Sequence, residues 1–331
     1  MKVIKVTKLL LVIISACTFS ANLLAKPLAD KKPVNWDNFF IGHSWLKSTS
    51  GVLYFEKDLK ADPFKMCNDI EKEPWRLTMI DQESQEISRI PDKSLPAYKD
   101  IEKLTPIEFR DKIISSVYNL QKHCVKVNLA PVVDKGSRGY GNDDKTIKLY
   151  SSIYANEMRR RGIVPTWKHF PGMGNNISVY SDERYNKWYK NIYGEGVIEN
   201  ITKSEMLNKI AVFKNNQFDL LMFSVGIYKN ISNKPIIFSE TVWNLAYHSQ
   251  PNSLYIPDDL SELNLTEDQL VWLFKRFDLL MFTSPKDILW AKNILSKAYL
   301  DNKLTEKELN MKFNRQNIWR KKNNLNILLK K

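Results

Sequence analysis

Glycine is scarce in this chain: 11 of 331 residues, about half the usual share of roughly 7%. That excludes collagen-like and other repetitive glycine-rich folds. Histidine and cysteine are scarcer still, at four and three. The histidines (His43, His123, His169, His248) are scattered and no CxxC spacing occurs, so neither a zinc site nor any other cofactor is expected. Beyond the first two dozen residues no apolar run is long enough to cross a bilayer. Acid is short relative to base, 37 Asp+Glu against 50 Lys+Arg, a formal charge of +13. Such an excess permits an anionic partner without identifying one. Hydrophobic residues at 43% and charged residues at 26% are the proportions of a chain that buries a core.

The first segment has the form of a secretory leader: Lys2, Lys5 and Lys8, then the apolar or small run Leu9 to Ala16. Ile14-Ser15-Ala16-Cys17 resembles the lipobox of bacterial lipoproteins, which makes Cys17 a candidate lipidation site. Leu23-Leu24-Ala25 offers an ordinary cleavage site instead, giving a signal peptide over 1–25. Either cleavage removes three lysines and takes the charge from +13 to +10. The expected location is therefore the periplasm, or a membrane-anchored form, of a bacterial envelope. In that oxidising setting a Cys67–Cys124 disulfide is permitted. The reading preferred for the pair is two buried thiols, because Cys124 continues the apolar helical face Phe109, Ile113, Val117, Leu120.

Past the leader, strand-like and helix-like segments alternate. Strands are expected at Gly51–Phe55, Arg76–Ile80, Val125–Val133, Ile163–Lys168, Leu220–Val225, Leu254–Ile256 and Asp278–Phe282. Helices are expected at Pro63–Lys72, from Pro106 to about Cys124, and at Lys145–Arg161, Ser204–Phe213, Glu240–Tyr247 and Pro285–Leu300, with another opened by Thr266. Thr105-Pro106-Ile107-Glu108 combines an N-cap, a proline at the first helical position and a capping-box glutamate. Apolar strands separated by amphipathic helices argue for a parallel sheet wrapped in helices. No glycine-rich fingerprint follows the first strand, which disfavours a doubly wound dinucleotide fold. The expectation is a single α/β domain, a (β/α)8 TIM-type barrel over 34–300, followed by a basic extension over 301–331.

In such a barrel, chemistry sits where strands end. Those ends carry Asp81, Asp134 with Arg138 just beyond, Lys168-His169, and Asp258-Asp259. Carboxylates and cations converging on one mouth suit a ligand with many hydroxyls, which they grip by charge-assisted hydrogen bonds. For any one of these residues the plain alternative is a loop cap or a solvated charge.

Trp167-Lys168-His169-Phe170-Pro171-Gly172-Met173-Gly174 resembles the KHFPGHG motif of family 3 glycoside hydrolases, in particular the single-domain β-N-acetylglucosaminidases. Other segments are similar in order and spacing: Gly51-Val52-Leu53-Tyr54-Phe55 to the family's GVILF, Asp81-Gln82-Glu83 to DQE, Asn128 to Asp134 to NFAPVLD, Arg138 to Asp143 to RSFGxD, and Pro257 to Ser261 to SDDLS. The similarity runs from about Asn38 to Leu300. It implies a retaining glycosidase with Asp258 as nucleophile and with Asp81, Arg138, Lys168 and His169 holding the sugar. A carboxylate nucleophile must be ionised, and a nearby Lys168 would favour that.

The pattern breaks where the family supplies its acid/base. The resemblance implies Asp at 179 and His at 181; the chain has Val179 and Ser181, and no histidine from Met173 to Trp188. Asp182 and Glu183 are the candidate replacements, their plain alternative being solvated loop charges. Ser84-Gln85-Glu86 stands where the family has Gly-Gly-Arg, so a glycine turn and a cation are lost together. Three functions remain open. The first is a hydrolase acting on β-linked N-acetylglucosamine in peptidoglycan fragments or related glycans. The second is a catalytically inactive glycan-binding protein of the envelope. The third is a binder of an anionic polymer such as nucleic acid or acidic envelope glycan, nucleic acid being the less expected partner. A carbohydrate partner is common to the first two, and membrane contact is expected only through the lipid anchor. Met311 to Lys331 holds Lys312, Arg315, Arg320, Lys321, Lys322, Lys330 and Lys331 without an acid. This tail is expected to be a solvated terminal helix, with contact to an anionic surface as the sharper alternative.

Overall fold

Short apolar segments, buried from end to end, form the centre of the fold. In chain order the strands are β1 Phe40–His43, β2 Gly51–Tyr54, β3 Leu77–Ile80, β4 Val127–Asn128, β5 Val164–Phe170, β6 Ile198–Glu199, β7 Leu220–Phe223, β8 Ile227–Tyr228, β9 Leu254–Pro257 and β10 Leu280–Met281. The computed structural model describes residues 31–46, 49–136, 138–172, 198–199, 202–228, 230–232 and 234–328. Two compact units divide the chain, Met1–Val34 and Asn35–Lys331, and the second is described below.

Eight strands pair in the order β10-β1-β2-β3-β4-β5-β7-β9, every pairing parallel. The Asp278 amide donates to Tyr255 O at 2.9 Å, and the Tyr255 amide donates to Asp278 Oδ2 at 2.8 Å. These bonds bring the two ends of the sheet together. The result is the expected (β/α)8 TIM-type barrel. Burial on both faces explains why its strands read as continuous apolar runs. β6 and β8 make a separate parallel pair.

Side chains alternate across each strand. Ile41, Leu53, Met79, Leu220, Met222 and Ile256 fill the barrel interior. Val52, Tyr54 and Ile80 point outward to meet helices α4 (Pro106–Lys122) and α5 (Asp144–Arg160). On α4 the stripe Phe109, Ile113, Val117 and Leu120 is fully buried, worth roughly 1.5–3 kcal/mol per side chain. Thr105 and Glu108 complete the capping box anticipated for its start. The remaining helices are α1 Glu56–Ala61, α2 Lys65–Lys72, α3 Tyr98–Ile101, α6 Lys203–Phe213, α7 Glu240–Ser249, α8 Glu267–Arg276, α9 Pro285–Leu300 and α10 Glu306–Lys322.

Four expectations are corrected. A strand precedes Gly51, because Phe40–His43 pairs with both β2 and β10. The strand expected over Val125–Val133 stops at Asn128; Pro131 has no N–H to extend the ladder, and Val132 makes only an isolated bridge to Lys168. Cys67 and Cys124 are bonded to each other rather than being buried thiols. The helical face ends at Lys122, so Cys124 lies beyond it at φ 57°, half-buried like Cys67.

The fourth concerns the basic tail, whose helix is built into the barrel. The Trp319 indole donates to Asp219 O at 3.0 Å. Arg320, 1% exposed, donates to Trp75 O at 2.6 Å and to Ser50 Oγ at 2.8 Å. Lys312 donates to Phe277 O at 2.6 Å, and Arg315 pairs with Asp278 at 2.9 Å. Ser50, Trp75, Asp219 and Phe277 all lie just before strands. α10 therefore plugs the end of the barrel opposite the strand C-termini, with Trp319 in the interior core. Three of the seven tail cations, Lys312, Arg315 and Arg320, are used inside the fold.

Candidate active site

The strand C-termini open into a cavity of about 750 Å³ lined by Asp81, Arg138, Lys168, His169 and Asp258, with His43, Phe55, Arg89 and Asp259 among its other walls. Every sugar-site residue anticipated among the described residues is in this one cavity. Asp182 and Glu183, like Cys17, lie outside the described residues.

β3 delivers Asp81, and the loop after it is tied down by Gln82. That side chain donates to Ile90 O at 2.8 Å and to Ser88 Oγ at 2.9 Å, and accepts from the Ile90 amide at 3.1 Å. Glu83 turns inward and is fully buried. Lys168 Nζ lies 2.6 Å from Glu83 and 2.8 Å from Asp81, and Arg138 grips Glu83 with two nitrogens at 2.8 and 3.1 Å. The Tyr98 hydroxyl also donates to Glu83. Burial alone would push the Glu83 carboxyl up, but Arg138 and Lys168 outweigh it and hold it well below the usual carboxylate range. Burial likewise disfavours the Lys168 ammonium, yet Asp81 and Glu83 keep its pKa above the ordinary lysine value. Lys168 is thus committed to Asp81 and Glu83, not to the Asp258 carboxylate beside which it was expected.

Asp134 follows the β4 segment and is completely buried. Arg138 is presented by a turn in which the Gly139 amide donates to Gly136 O at 3.0 Å. A Cβ on Gly139 would fall 2.0 Å from Asp134 O, so this close approach demands glycine. Neighbouring strand residues normally face opposite sides, yet Lys168 and His169 both line the cavity. The β5–β7 register shifts between Trp167 and Phe170, and the Lys168–His169 peptide is cis. His169 Nδ1 sits 2.7 Å from Asp134 Oδ2 and its Nε2 lies 3.8 Å from Asp258 Oδ2.

Asp258 follows β9 directly. Its amide donates to Phe223 O at 2.9 Å, its Oδ1 accepts from the Asp259 amide at 2.9 Å, and its side chain keeps 22% exposure. Asp259 is a loop clamp: it accepts from the Ser261 and Thr283 amides, each at 3.0 Å, and burial raises its carboxyl. The stretch Ser84-Gln85-Glu86 closes on itself, Ser84 Oγ donating to Glu86 at 2.7 Å and the Tyr98 amide donating to Glu86 at 3.1 Å. A cation nevertheless reaches the mouth from three positions on, where Arg89 comes within 3.8 Å of Asp81. Glu83, Arg89 and His43 were not singled out from sequence. Glu83 could have been, since in extended chain it shares a face with Asp81 two positions earlier. Among the described residues no cluster of His, Cys, Asp or Glu is arranged to hold a metal ion.

No protein-family model matches the chain. It is 29% identical over 110 residues to the β-hexosaminidase LpqI of Mycobacterium tuberculosis, covering 29% of this chain and 28% of the relative. It is 25% identical over 205 residues to a β-hexosaminidase of Photobacterium profundum, covering 57% of this chain and 58% of the relative. A solved glycosyl hydrolase of family 3 from Mycobacterium smegmatis superimposes with TM-score 0.68 at 16% identity, over 88% of this chain and 98% of that one. The chain shares its fold with this family 3 glycosyl hydrolase. The β-N-acetylglucosaminidase of Thermotoga maritima has the same fold, with TM-score 0.68 and 16% identity over 86% of this chain and 66% of that one. The matches to the β-hexosaminidases span 28% and 58% of their lengths, whereas the fold is shared with the two solved structures over 88% and 86% of this chain.

Proposed function

We propose that the protein is a retaining β-N-acetylhexosaminidase that releases β-linked N-acetylglucosamine from peptidoglycan fragments or related glycans. The observation carrying this reading is the reachable Asp258 carboxylate at a strand end, in one cavity with Asp81, Arg138, Lys168 and His169. About 750 Å³ lies within the ordinary range for a small-ligand site. In this reading Asp258 attacks the anomeric carbon as the glycosidic C–O bond breaks, the leaving oxygen takes a proton, and water later releases the covalent glycosyl ester. Asp81, Lys168 and Arg138 bind hydroxyls, and His169 lies beside the nucleophile. Asp182 and Glu183 are the proposed proton donors. The names of the similar β-hexosaminidases support the substrate class. Export, with either a cleaved signal peptide or a lipid on Cys17, is proposed from the leader alone.

A second reading, glycan binding without turnover, is favoured by the absence of histidine from Met173 to Trp188. General acid–base assistance is typically worth about 10²–10⁴-fold, so its loss would stop turnover while leaving sugar contacts in place. One comparison separates the readings: hydrolysis of a chromogenic β-N-acetylglucosaminide by wild type and by Asp258→Asn. Turnover by wild type that falls about 10³-fold or more in the variant supports the hydrolase. Equal rates in the two proteins would overturn it. Saturable binding of N-acetylglucosamine with no turnover would favour the second reading.

A further inference from the structure

A column of rings leads from the sugar-site residues to the surface. Arg89 begins it, its guanidinium 5.5 Å over the Phe55 ring and 3.8 Å from Asp81. The His43 ring stacks on Phe55 with centroids 4.7 Å apart and an interplanar angle of 19°. Trp45 follows, 5.0 Å from His43. Arg89, Phe55 and His43 all line the cavity, and Trp45, tilted by 49° against the His43 ring, has 55% of its surface exposed.

The chain gives this column little structural reason to end in an exposed indole. His43 is buried and fixed, with Ser44 Oγ 3.2 Å from its Nδ1, and burial lowers its pKa against the pull of Asp58, so it stacks as a neutral ring. Trp167 and Trp319 are buried, and their N–H groups are bonded within the fold. Trp45 instead projects from the turn just after β1, on the strand-end side of the barrel. An exposed aromatic face continuous with a polar cavity suits the apolar C–H face of a pyranose whose hydroxyls remain wet.

We propose that Trp45, backed by His43 and Phe55, is a stacking platform for the second and later sugar rings of a β-linked oligosaccharide whose terminal residue occupies the Asp81–Asp258 cavity. This rests on the glycan reading above. It makes the ligand an oligosaccharide rather than an isolated monosaccharide, and places length selectivity on a strand-end turn that carries none of the catalytic machinery.

The test is calorimetric titration of the full chain with N-acetylglucosamine and with its β-1,4-linked trimer, in an Asp258→Asn background that prevents cleavage. The trimer should bind more tightly than the monosaccharide. Trp45→Ala should weaken trimer binding about tenfold while leaving monosaccharide affinity unchanged, and Trp45→Phe should restore most of the loss. Trp45 is exposed, so neither variant threatens folding. Equal affinities for the two sugars, or a Trp45→Ala effect of the same size on both, would overturn the platform and leave the sugar cavity standing. Failure of both sugars to bind would overturn the glycan reading together with the platform.

Discussion

His169 is clamped by Asp134 at 2.7 Å through Nδ1, while its Nε2 faces Asp258 at 3.8 Å. Asp134 Oδ1 also accepts from the His169 main-chain amide at 3.2 Å. A buried carboxylate at Nδ1 selects the tautomer with its proton there, which makes Nε2, the nitrogen that faces Asp258, the acceptor.

Asp134→Asn tests that selection. An amide nitrogen in place of Oδ2 would set donor against donor, so the ring should turn or exchange tautomer. Ring-nitrogen chemical shifts of His169 are expected to move, and turnover of a chromogenic β-N-acetylglucosaminide to fall by about 10²-fold, the usual cost of a small misplacement at a reacting centre. Unchanged shifts would show that Asp134 does not orient the ring.

Glu83 holds two cations, and its removal takes from Arg138 and Lys168 the buried carboxylate they share, leaving Lys168 with Asp81. Glu83→Gln should cost about 3–5 kcal/mol of stability, read as a fall in denaturant midpoint. Because the folded-state carboxyl is depressed from 4.5, its contribution is complete above that value and drains away as pH falls below it. The gap between wild type and variant should therefore narrow on acidification below pH 4.5. A gap that stays constant from pH 7 to pH 3 would sink this account.

Lys312 behaves oppositely, as a cation that burial opposes. Its pKa is lowered from 10.5 to about 8, so between those values the unfolded chain carries more protons than the folded one. Stability due to this group should then rise with pH, by about 3 kcal/mol over the window. Wild type should gain on Lys312→Met between pH 8 and pH 10.5, measured as the difference in melting temperature. Parallel curves for the two proteins would refute the shift.

The Cys67–Cys124 bond joins residues 57 positions apart and ties α2 to the end of α4. Closing a loop of that size typically contributes about 2–4 kcal/mol. Thiol titration of the unfolded chain should rise by two groups on reduction, and Cys67→Ser should melt lower by a corresponding amount. A thiol count unchanged by reductant would show the cysteines unpaired.

The barrel was legible because its strands are buried on both faces and read as apolar runs, while capping residues such as Thr105 and Thr266 mark the helix starts. The polar strand-end residues were legible as well, since a parallel barrel turns sequence position into a common mouth. Three features were not. Lys168's partners depend on Glu83, which a strand-end reading passes over because it lies in the following loop. Arg89 restores a cation at a position offset from the one where a motif comparison seeks it. Arg320, a charge in a basic run, gives no local sign that two oxygens distant in sequence, those of Trp75 and Ser50, will enclose it. Local patterns report which residues share a helix face, whereas these contacts are decided by how the ring of strands closes.

That closure sets a condition on synthesis. Arg320 reaches Ser50 across 270 positions, and Trp319 reaches Asp219 across 100. Until the final helix has emerged, a nascent chain has no floor beneath its strands and leaves the interior side of Leu77, Leu220 and Leu254 open to water. Premature termination before Trp319 should thus yield an unfolded product, not a trimmed one.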